Sequence, residues 1–295
     1  MKKILITGKN SYIGNAVAEY LTEWEEYTTD KISLQSEDWK SMDFSGYDTI
    51  LHVAGKAHVD IAGMTEEDKL LYYQVNSELP AKVAAKAKAE GVKQFIHLSS
   101  VIVYGDVAKV GKTGMITYET KPHPASFYGD SKLQGEEKLR PLADETFSVA
   151  ILRLPMVYGR NSKGNYPLLV KMAKRTPVFP KIQNQRSMLY IENLAEFIRL
   201  LAESGEGGLF FPQNEEYVTT ARMVQLIGAA VGRKIHLCSV LNPFVWLASR
   251  VPGKVGALAN KAFGSLAVEQ ALSDKGNYSY QKYSLEESIR RIHED

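Results

Sequence analysis

The sequence predicts an α/β fold whose centre is a doubly wound parallel sheet, followed by a smaller α/β region towards the C-terminus. Two observations predict it: short apolar runs alternate with helical patterns to about residue 160, and mixed short elements replace that alternation beyond it. Alternating strands and helices are typical of parallel sheets that carry helices on both faces. A chain of 295 residues, 44% of them hydrophobic, is long and apolar enough to bury a sizeable core.

Each element of the first part follows from its local pattern. The predicted strands are about 2–6, 28–34, 49–53, 94–98 and 149–153, and the predicted helices are 15–21, 77–90 and a run that opens at Tyr128. Only residues 35–47 separate the second strand from the third, too few for the usual intervening helix. We therefore predict a sheet in which one connection lacks its helix.

A glycine-bearing turn joins the first strand to the first helix. It runs Thr7-Gly8-Lys9-Asn10-Ser11-Tyr12-Ile13-Gly14, and a strand, such a turn and a helix are the context of a dinucleotide-binding Rossmann fingerprint. Gly8 would allow the tight turn and Gly14 the close packing of helix on strand, while a pyrophosphate would lie on the helix N-terminus. Ser11 stands where the middle glycine of the usual three would be. An ordinary strand–turn–helix is the alternative.

Tyr128 and Lys132 are four residues apart in a helical run, so they share one helical face. A phenol has a pKa of about 10 in water, too high for general acid–base catalysis at neutral pH, and a nearby cation lowers it. Lys132, the positive charge of a nicotinamide and a neighbouring hydroxyl are together expected to lower the pKa of Tyr128. Ser100 offers such a hydroxyl at the end of an apolar strand, where open α/β sheets bind their ligands. By itself, the spacing of Tyr128 and Lys132 is also typical of a surface helix.

The composition excludes several classes of function. A formal net charge of +2 gives no electrostatic basis for binding nucleic acid. One cysteine, Cys238, excludes an intramolecular disulfide framework and a cysteine metal cluster, and is interpreted as a small buried hydrophobic residue. His52, His58 and His97 lack the spacing of metal ligands, and we predict no metal. We see neither a signal peptide nor a transmembrane segment, and we expect a cytoplasmic protein.

The most apolar stretch of the C-terminal part, 241–266, is interrupted by Arg250, Lys254 and Lys261 and by Pro252 and several glycines. It is predicted to form two short amphipathic helices that act as a substrate lid or a dimer surface. Contact with a membrane surface is the alternative, because helices that lie on membranes pair an apolar face with a basic one.

Four ordered motifs carry a resemblance to a known family. They are T-G-x-x-x-x-x-G from Thr7, L-S-S-x-x-V-Y-G from Leu98, P-x-x-x-Y-G-x-S-K from Pro124 and L-R-x-x-x-V-Y-G from Leu152. Over nearly its whole length the chain resembles an extended short-chain dehydrogenase/reductase of the nucleotide-sugar epimerase/dehydratase group. The resemblance implies an NAD(P)-binding Rossmann domain over 1–160, to which about 187–210 returns, and a mainly substrate-binding α/β domain over 161–295. It also implies a nucleotide-sugar substrate, and homodimers are common in the family.

The resemblance further implies a role for each matching residue. Tyr128 would be the acid–base, Lys132 would bind the nicotinamide ribose and assist Tyr128, and Ser100 would hydrogen-bond the reacting sugar oxygen. The other cofactor-binding residues would be Gly8, Lys9, Asn10, Ser11, Tyr12, Ile13, Gly14, Asp43, Phe44, Ala54, Gly55, Lys56 and Asn76.

Two of these segments and one arginine have more specific implied positions. Asp43-Phe44 would contact adenine, and Ala54-Gly55-Lys56 would pass the phosphates and ribose, with Asn76 bracing that loop. A purely structural role is the alternative for each. Arg186 would pair with the nucleotide diphosphate, because a guanidinium fork matches two phosphate oxygens; a solvated loop charge is its alternative.

The resemblance implies hydride transfer at C4 of a UDP-hexose without dehydration. Family dehydratases carry an Asp-Glu pair directly after the active hydroxyl residue, as a second acid and base, whereas Val101 and Ile102 stand here. We narrowly favour a UDP-4-keto-(6-deoxy)-hexosamine reductase in the synthesis of surface-polysaccharide precursors. A UDP-sugar 4-epimerase, of the UDP-glucose or UDP-N-acetylglucosamine type, is the alternative, and a non-catalytic NAD(P)-binding sensor or scaffold is a remote one.

The expected cofactor preference slightly favours the reductase over the epimerase. The short connection after the second strand resembles that of dTDP-4-dehydrorhamnose reductase-like members, and Gln35 stands near the place of the family's ribose-binding acid. No carboxylate there excludes a 2′-phosphate, which Lys9 could meet, so NADPH is slightly favoured over NADH. Against this, residues 52–56 and the segment around Arg186 look closer to UDP-sugar 4-epimerases.

Overall fold

The computed structural model of this chain describes residues 1–57, 64–106, 108–274, 276 and 278–294. Its strands are β1 (Lys2–Thr7), β2 (Tyr27–Ile32), β3 (Thr49–His52), β4 (Gln94–Ser100), β5 (Met115–Ile116), β6 (Ser148–Leu154), β7 (Met156–Tyr158), β8 (Val178–Pro180), β9 (Met188–Tyr190), β10 (Gly208–Phe210), β11 (His236–Cys238) and β12 (Ala267–Val268). Its helices are α1 (Tyr12–Leu21), α2 (Glu66–Tyr73), α3 (Leu79–Ala89), α4 (Phe127–Leu139), α5 (Tyr166–Arg175), α6 (Ile191–Ser204), α7 (Thr220–Ala230), α8 (Asn242–Ala248), α9 (Lys254–Phe263) and α10 (Leu285–His293).

Six strands form one parallel sheet in the order β10-β6-β4-β3-β1-β2. The chain runs from β1 to β2 on one side and then returns to β3 on the other, so its direction reverses between β1 and β3. Ile4 and Ile6 face a core that includes residues of α1 and α6, whereas Leu5 faces a second core that includes residues of α3. Because both faces are covered, the central strands are continuously buried. The predicted doubly wound parallel sheet is confirmed.

The connection between β2 and β3 is short, as predicted. Its 16 residues, all described, form a single helical element, the 3-10 turn Glu37–Lys40. Trp39 and Phe44 are buried in the core around Leu5 and take the place of a helix over the end of the sheet. Strand β2 ends at Ile32, two residues before its predicted end.

The helix predicted to begin at Ser77 starts earlier. Helix α2 begins at Glu66, and the π-helical turn Gln74–Glu78 joins it to α3. The hydroxyl of Thr65 accepts a hydrogen bond from the backbone N–H of Asp68 at 3.1 Å, and the Asp68 carboxylate accepts one from the Thr65 backbone N–H at 3.0 Å. This capping box was readable as T-x-x-D in the sequence.

The C-terminal part is built from small parallel pairs and helices. The pairs are β8–β11, β5–β12 and β7–β9. Within the 187–210 segment, α6 packs on α1 and β10 extends the main sheet beside β6. The 241–266 stretch does form two helices, α8 and α9. Among the described residues, no helix is both long and apolar enough to cross a membrane.

Candidate active site at the carboxyl ends of the strands

A cavity of about 910 Å³ lies at the carboxyl ends of β1, β3 and β4, where the strand order reverses. This is the position at which open α/β sheets bind their ligands. Predicted site residues that line it are Gly8, Lys9, Asn10, Ser11, Tyr12, Ile13, Ala54, Gly55, Lys56, Ser100, Tyr128 and Lys132. The topology thus brings four predicted segments, far apart in the chain, to one cavity.

The first turn has the geometry of a phosphate cradle. Gly8 adopts a φ of 104°, and a Cβ there would stand 3.0 Å from the backbone nitrogen of Ala54. A Cβ on Gly14 would stand 2.9 Å from the methyl groups of Ile6 and Val53. Ser11 replaces a glycine without strain, because its φ is −68° and its hydroxyl caps α1 by accepting from the Gly14 N–H at 3.3 Å.

The start of α1 has unused hydrogen-bonding capacity. The first N–H groups of a helix have no partner within it and attract anions. Tyr12 also lines the cavity, but its hydroxyl is buried beside Gly159 and has no hydrogen-bond partner among the described residues. Burial raises the pKa of Tyr12 above its usual value, so the group is a neutral donor. A dinucleotide pyrophosphate fits such a site.

Near the end of β2 the cavity wall carries a cation but no carboxylate. The lining residues at this end are Lys9, Ser33, Leu34 and Gln35. The nearest acidic residue of β2, Asp30, accepts a hydrogen bond from the Tyr47 hydroxyl at 2.9 Å. This end of the cavity therefore carries no negative charge that would repel a ribose 2′-phosphate.

Asn76 braces the loop that follows β3. Its Oδ1 accepts from the backbone N–H of Lys56 at 2.8 Å, and its Nδ2 donates to the Lys56 carbonyl at 3.0 Å and to the Ser131 hydroxyl at 3.1 Å. Asn76 is fully buried in the π-helical turn before α3. A Cβ on Gly55 would stand 3.1 Å from Lys132 Nζ, so the braced loop passes directly over the lysine.

Lys132 is a buried cation. Its Nζ donates to the Leu98 carbonyl at 2.9 Å, and 6% of the residue is exposed. Burial lowers its pKa from 10.5 to about 8 because the ammonium loses its hydration, while Glu136 opposes the change. The lysine therefore remains mostly protonated at neutral pH.

Tyr128 is a buried phenol. Lys132, the positive charge of a nicotinamide and a neighbouring hydroxyl are together expected to lower its pKa, whereas in the protein alone burial, with Tyr72 as a smaller cause, raises the pKa of Tyr128 to about 12. The rings of Tyr72 and Tyr128 meet edge to face with centroids 6.2 Å apart. Burial penalises the charged phenolate because it removes water from around it. In the protein alone, Tyr128 is therefore protonated at neutral pH.

Ser100 ends β4 and begins the 3-10 turn Val101–Tyr104. Its hydroxyl caps that turn by accepting from the Ile102 N–H at 3.3 Å, and the residue lines the cavity beside Ser99. The two residues after Ser100 are Val101, which is buried, and Ile102, which is partly buried. Neither carries the carboxylate that a dehydratase would need at these positions.

Five predicted residues are not among those that line the cavity: Gly14, Asp43, Phe44, Asn76 and Arg186. The Phe44 ring is fully buried in the core, and its N–H donates to Glu90 at 2.6 Å, while Asp43 is exposed. Arg186 Nη1 donates to the carbonyl oxygens of Lys261 at 2.8 Å and Gly264 at 3.4 Å. In this structure the Arg186 guanidinium holds the end of α9.

Sequence reasoning missed a buried network directly behind the site. Glu136 is fully buried and accepts from the Ser99 hydroxyl at 2.5 Å and from Arg153 Nη2 at 2.6 Å. Tyr128, Lys132 and Glu136 are spaced i, i+4, i+8 on α4, and that repeat was the available signal. The network satisfies both charges and fixes α4 against β4 and β6.

The histidines and the cysteine contribute packing. His52 and His97 stack with ring centroids 5.6 Å apart, and burial, together with Lys132, lowers the pKa of both below the usual value. Among the described residues no His, Cys, Asp and Glu side chains group as a metal site. His58 lies outside the described residues. Cys238 is partly exposed rather than buried, because β11 belongs to a two-stranded pair.

The parallel sheet, the glycine turn and the Ser/Tyr/Lys cavity together define a dinucleotide-binding protein of the dehydrogenase/reductase class. The model of the NAD dependent epimerase/dehydratase family matches residues 4–211, and the chain belongs to this family. It is an enzyme of the extended short-chain dehydrogenase/reductase type, and its cofactor is NAD(P).

The chain is similar in sequence to two 4-epimerases and in fold to a reductase. The chain is 28% identical over 256 residues to a UDP-glucose 4-epimerase from Vibrio cholerae, covering 79% of this chain and 76% of that protein. It is 30% identical over 215 residues to the N-acetyl-alpha-D-glucosaminyl-diphospho-ditrans,octacis-undecaprenol 4-epimerase of Escherichia coli O157:H7, covering 66% and 62%. A dTDP-4-dehydrorhamnose reductase from Clostridium acetobutylicum has the same fold, with a TM-score of 0.73 at 18% identity over 98% of both chains.

Proposed function

We propose that this protein transfers hydride at C4 of a nucleotide-diphosphate hexose, acting as a reductase of a UDP-4-keto-(6-deoxy)-hexosamine. The observation that carries the proposal is one cavity lined by Ser100, Tyr128, Lys132 and the Gly8 turn. This combination supports the proposal because it offers a hydroxyl as proton donor, a second hydroxyl and a cation next to a turn that suits a dinucleotide. A homodimer and a cytoplasmic location remain predictions from the family resemblance.

Each residue has a distinct part in this reaction. When bound, the nicotinamide supplies the hydride that C4 receives. Tyr128 donates its proton to the C4 oxygen, which completes the alcohol, and Ser100 hydrogen-bonds that same oxygen. The ammonium of Lys132 offsets the negative charge that remains on the phenol. Tyr128 is protonated at neutral pH, which is the state from which a reduction starts. A positive charge on the nicotinamide would lower its raised pKa towards the range that proton donation at neutral pH needs.

One feature of the cavity favours reduction, whereas the names of two relatives favour the second candidate. The cavity end formed by Lys9 and Gln35 suits NADPH, and a reductase exchanges its cofactor in every turnover. The second candidate is a UDP-sugar 4-epimerase, supported by the two 4-epimerases from Vibrio cholerae and Escherichia coli O157:H7. Both reactions use the same three side chains, so substrate assays must separate them.

The assay mixes purified protein with NADPH or NADH and a UDP-4-keto-6-deoxy-N-acetylhexosamine generated in situ. We expect a loss of reduced-nicotinamide absorbance that is stoichiometric with the ketone, and faster with NADPH. Interconversion of UDP-sugar epimers without net cofactor consumption, by enzyme that copurifies with NAD, would assign the second candidate. Neither reaction, with the cofactor bound, would contradict both.

Cofactor preference is expected to depend on Lys9 and Gln35. The double substitution Lys9→Ala, Gln35→Asp removes a cation and adds the carboxylate that repels a 2′-phosphate and accepts from a free 2′-hydroxyl. We expect kcat/KM for NADPH to fall at least tenfold, and kcat/KM for NADH to rise. Lys93→Ala, an exposed lysine at the opposite ends of the strands, is the matched control. An unchanged ratio would place the 2′-position elsewhere.

A further inference from the structure

The hairpin of α8 and α9 exposes a row of large apolar side chains. Val240, Phe244, Leu247 and Val251 are spaced i, i+4, i+7, i+11, which places them on one face of a helical path. Phe244 is 67% exposed and Leu247 is 62% exposed. On α9, Leu258 is 65% exposed and Val255, three residues earlier, is exposed as well. We call these six residues the apolar ridge.

The ridge is held in place by packing within the hairpin. Asn260 Nδ2 donates to the carbonyl oxygens of Ser249 and Gly256, both at 2.9 Å, and its Oδ1 accepts from the Val110 N–H at 3.0 Å. A Cβ on Gly256 would collide with the Val251 carbonyl, so the two segments are in close contact. Exposure of the ridge is therefore built into the fold.

Three cations of the hairpin itself, Arg250, Lys254 and Lys261, lack carboxylate partners among the described residues. Between residues 217 and 268 the chain has six Lys or Arg and no Asp or Glu. Arg250 stacks on the ring of Trp246, its guanidinium carbon 3.1 Å from the ring centroid. Neither Arg250, Lys254 nor Lys261 forms an ion pair within the described residues. An apolar face bordered by unpaired cations and a tryptophan is the pattern of an interfacial helix.

We propose that the apolar ridge is a docking surface for an anionic phospholipid bilayer, on which this hairpin lies without crossing it. Charge complementarity selects this occupant. A two-fold contact with a second copy would set the three cations of each hairpin against those of the other, with no carboxylate from either hairpin between them. A lid over the active site is not supported, because no residue of 239–263 is among those lining the cavity.

The test is co-sedimentation of the purified full chain with vesicles, without substrate, so its outcome is independent of the proposed reaction. We expect binding to phosphatidylcholine vesicles that contain about one-third phosphatidylglycerol, weaker binding at high salt, and little binding to phosphatidylcholine alone. Phe244→Ser with Leu247→Ser is expected to reduce binding at least tenfold, as is the triple substitution of Arg250, Lys254 and Lys261 by Gln. Trp246 emission should shift to the blue on binding, and Trp246→Phe should remove the shift.

The matched control is Leu168→Ser, which removes a leucine that is 54% exposed on α5, outside the hairpin. It should leave vesicle binding unchanged. Equal thermal midpoints and equal cofactor affinity would show that the ridge variants are folded. No binding to anionic vesicles, or binding that the ridge variants retain, would overturn the proposal. So would a dimer of the wild-type chain in sedimentation velocity that Leu247→Ser dissociates, since it would assign the ridge to a second copy.

Discussion

Tyr128→Phe is expected to reduce turnover about a thousandfold while leaving NADPH affinity within about twofold. The substitution removes one hydroxyl and keeps the ring that packs against Tyr72. Because we propose that the hydroxyl is the proton donor to the C4 oxygen, we expect its loss to act on kcat and kcat/KM alike. Steady-state kinetics with the ketone substrate and NADPH binding by fluorescence measure the two effects separately.

Tyr118→Phe is the control for this experiment. Tyr118 is 89% exposed and does not line the cavity, so its hydroxyl should be dispensable. A general acid typically contributes about 100-fold to 10,000-fold to the rate. If the Tyr128→Phe protein kept more than about a tenth of wild-type turnover, Tyr128 would not be the general acid.

Lys132→Met is expected to abolish turnover and to stabilise the fold at neutral pH. A pKa lowered from 10.5 to about 8 makes the protonated lysine about 3 kcal/mol less favourable in the folded state than in the unfolded one. The substitution also removes the hydrogen bond from Lys132 to the Leu98 carbonyl, and this loss lowers the free energy of unfolding by about 1 kcal/mol. The variant should therefore gain about 2 kcal/mol in free energy of unfolding at pH 7, measured by denaturant titration.

The sign of the pH dependence follows from the direction of the pKa change. Below pH 8 both states carry the proton, so the wild type bears the full penalty of the buried charge. As the pH rises from 8 to 10.5 the folded state loses its proton first, and the penalty disappears. The advantage of Lys132→Met should shrink over that range. Lys138→Met, an exposed lysine on the same helix, should change stability little at either pH; an equal gain there would remove the burial argument.

Much of the cofactor end of the site was predictable because its determinants are local. Gly8 adopts a positive φ, and Gly14 lies too close to β1 to carry a side chain. Both requirements select glycine at a fixed distance after the apolar run of β1, and this pattern is visible in the sequence. The pair Tyr128 and Lys132 is readable for the same reason, since helical periodicity alone places both on one face of α4. Asn76, nominated from family likeness, proved to hold both backbone groups of Lys56.

The electrostatics of the site were not predictable in this way. Whether Tyr128 is a phenol or a phenolate depends on how much solvent the fold removes, and burial, with Tyr72 as a smaller cause, raises its pKa although Lys132 is only four residues away. The hydrogen-bond partners of Arg186 depend on where α9 ends. They are the carbonyl groups of Lys261 and Gly264, which lie 75 and 78 residues later in the chain. No local pattern encodes either fact.

The parallel α/β sheet, the glycine turn and the Ser/Tyr/Lys set follow from local sequence patterns, because each depends on spacing within a strand, a turn or a helix. The burial of Phe44 in the core, the exposure of the ridge on α8 and α9 and the loss of hydration at Lys132 depend instead on how distant parts of the chain pack. Solvent exposure and pKa are sums over neighbours from distant parts of the chain. They exist only once those parts have packed together.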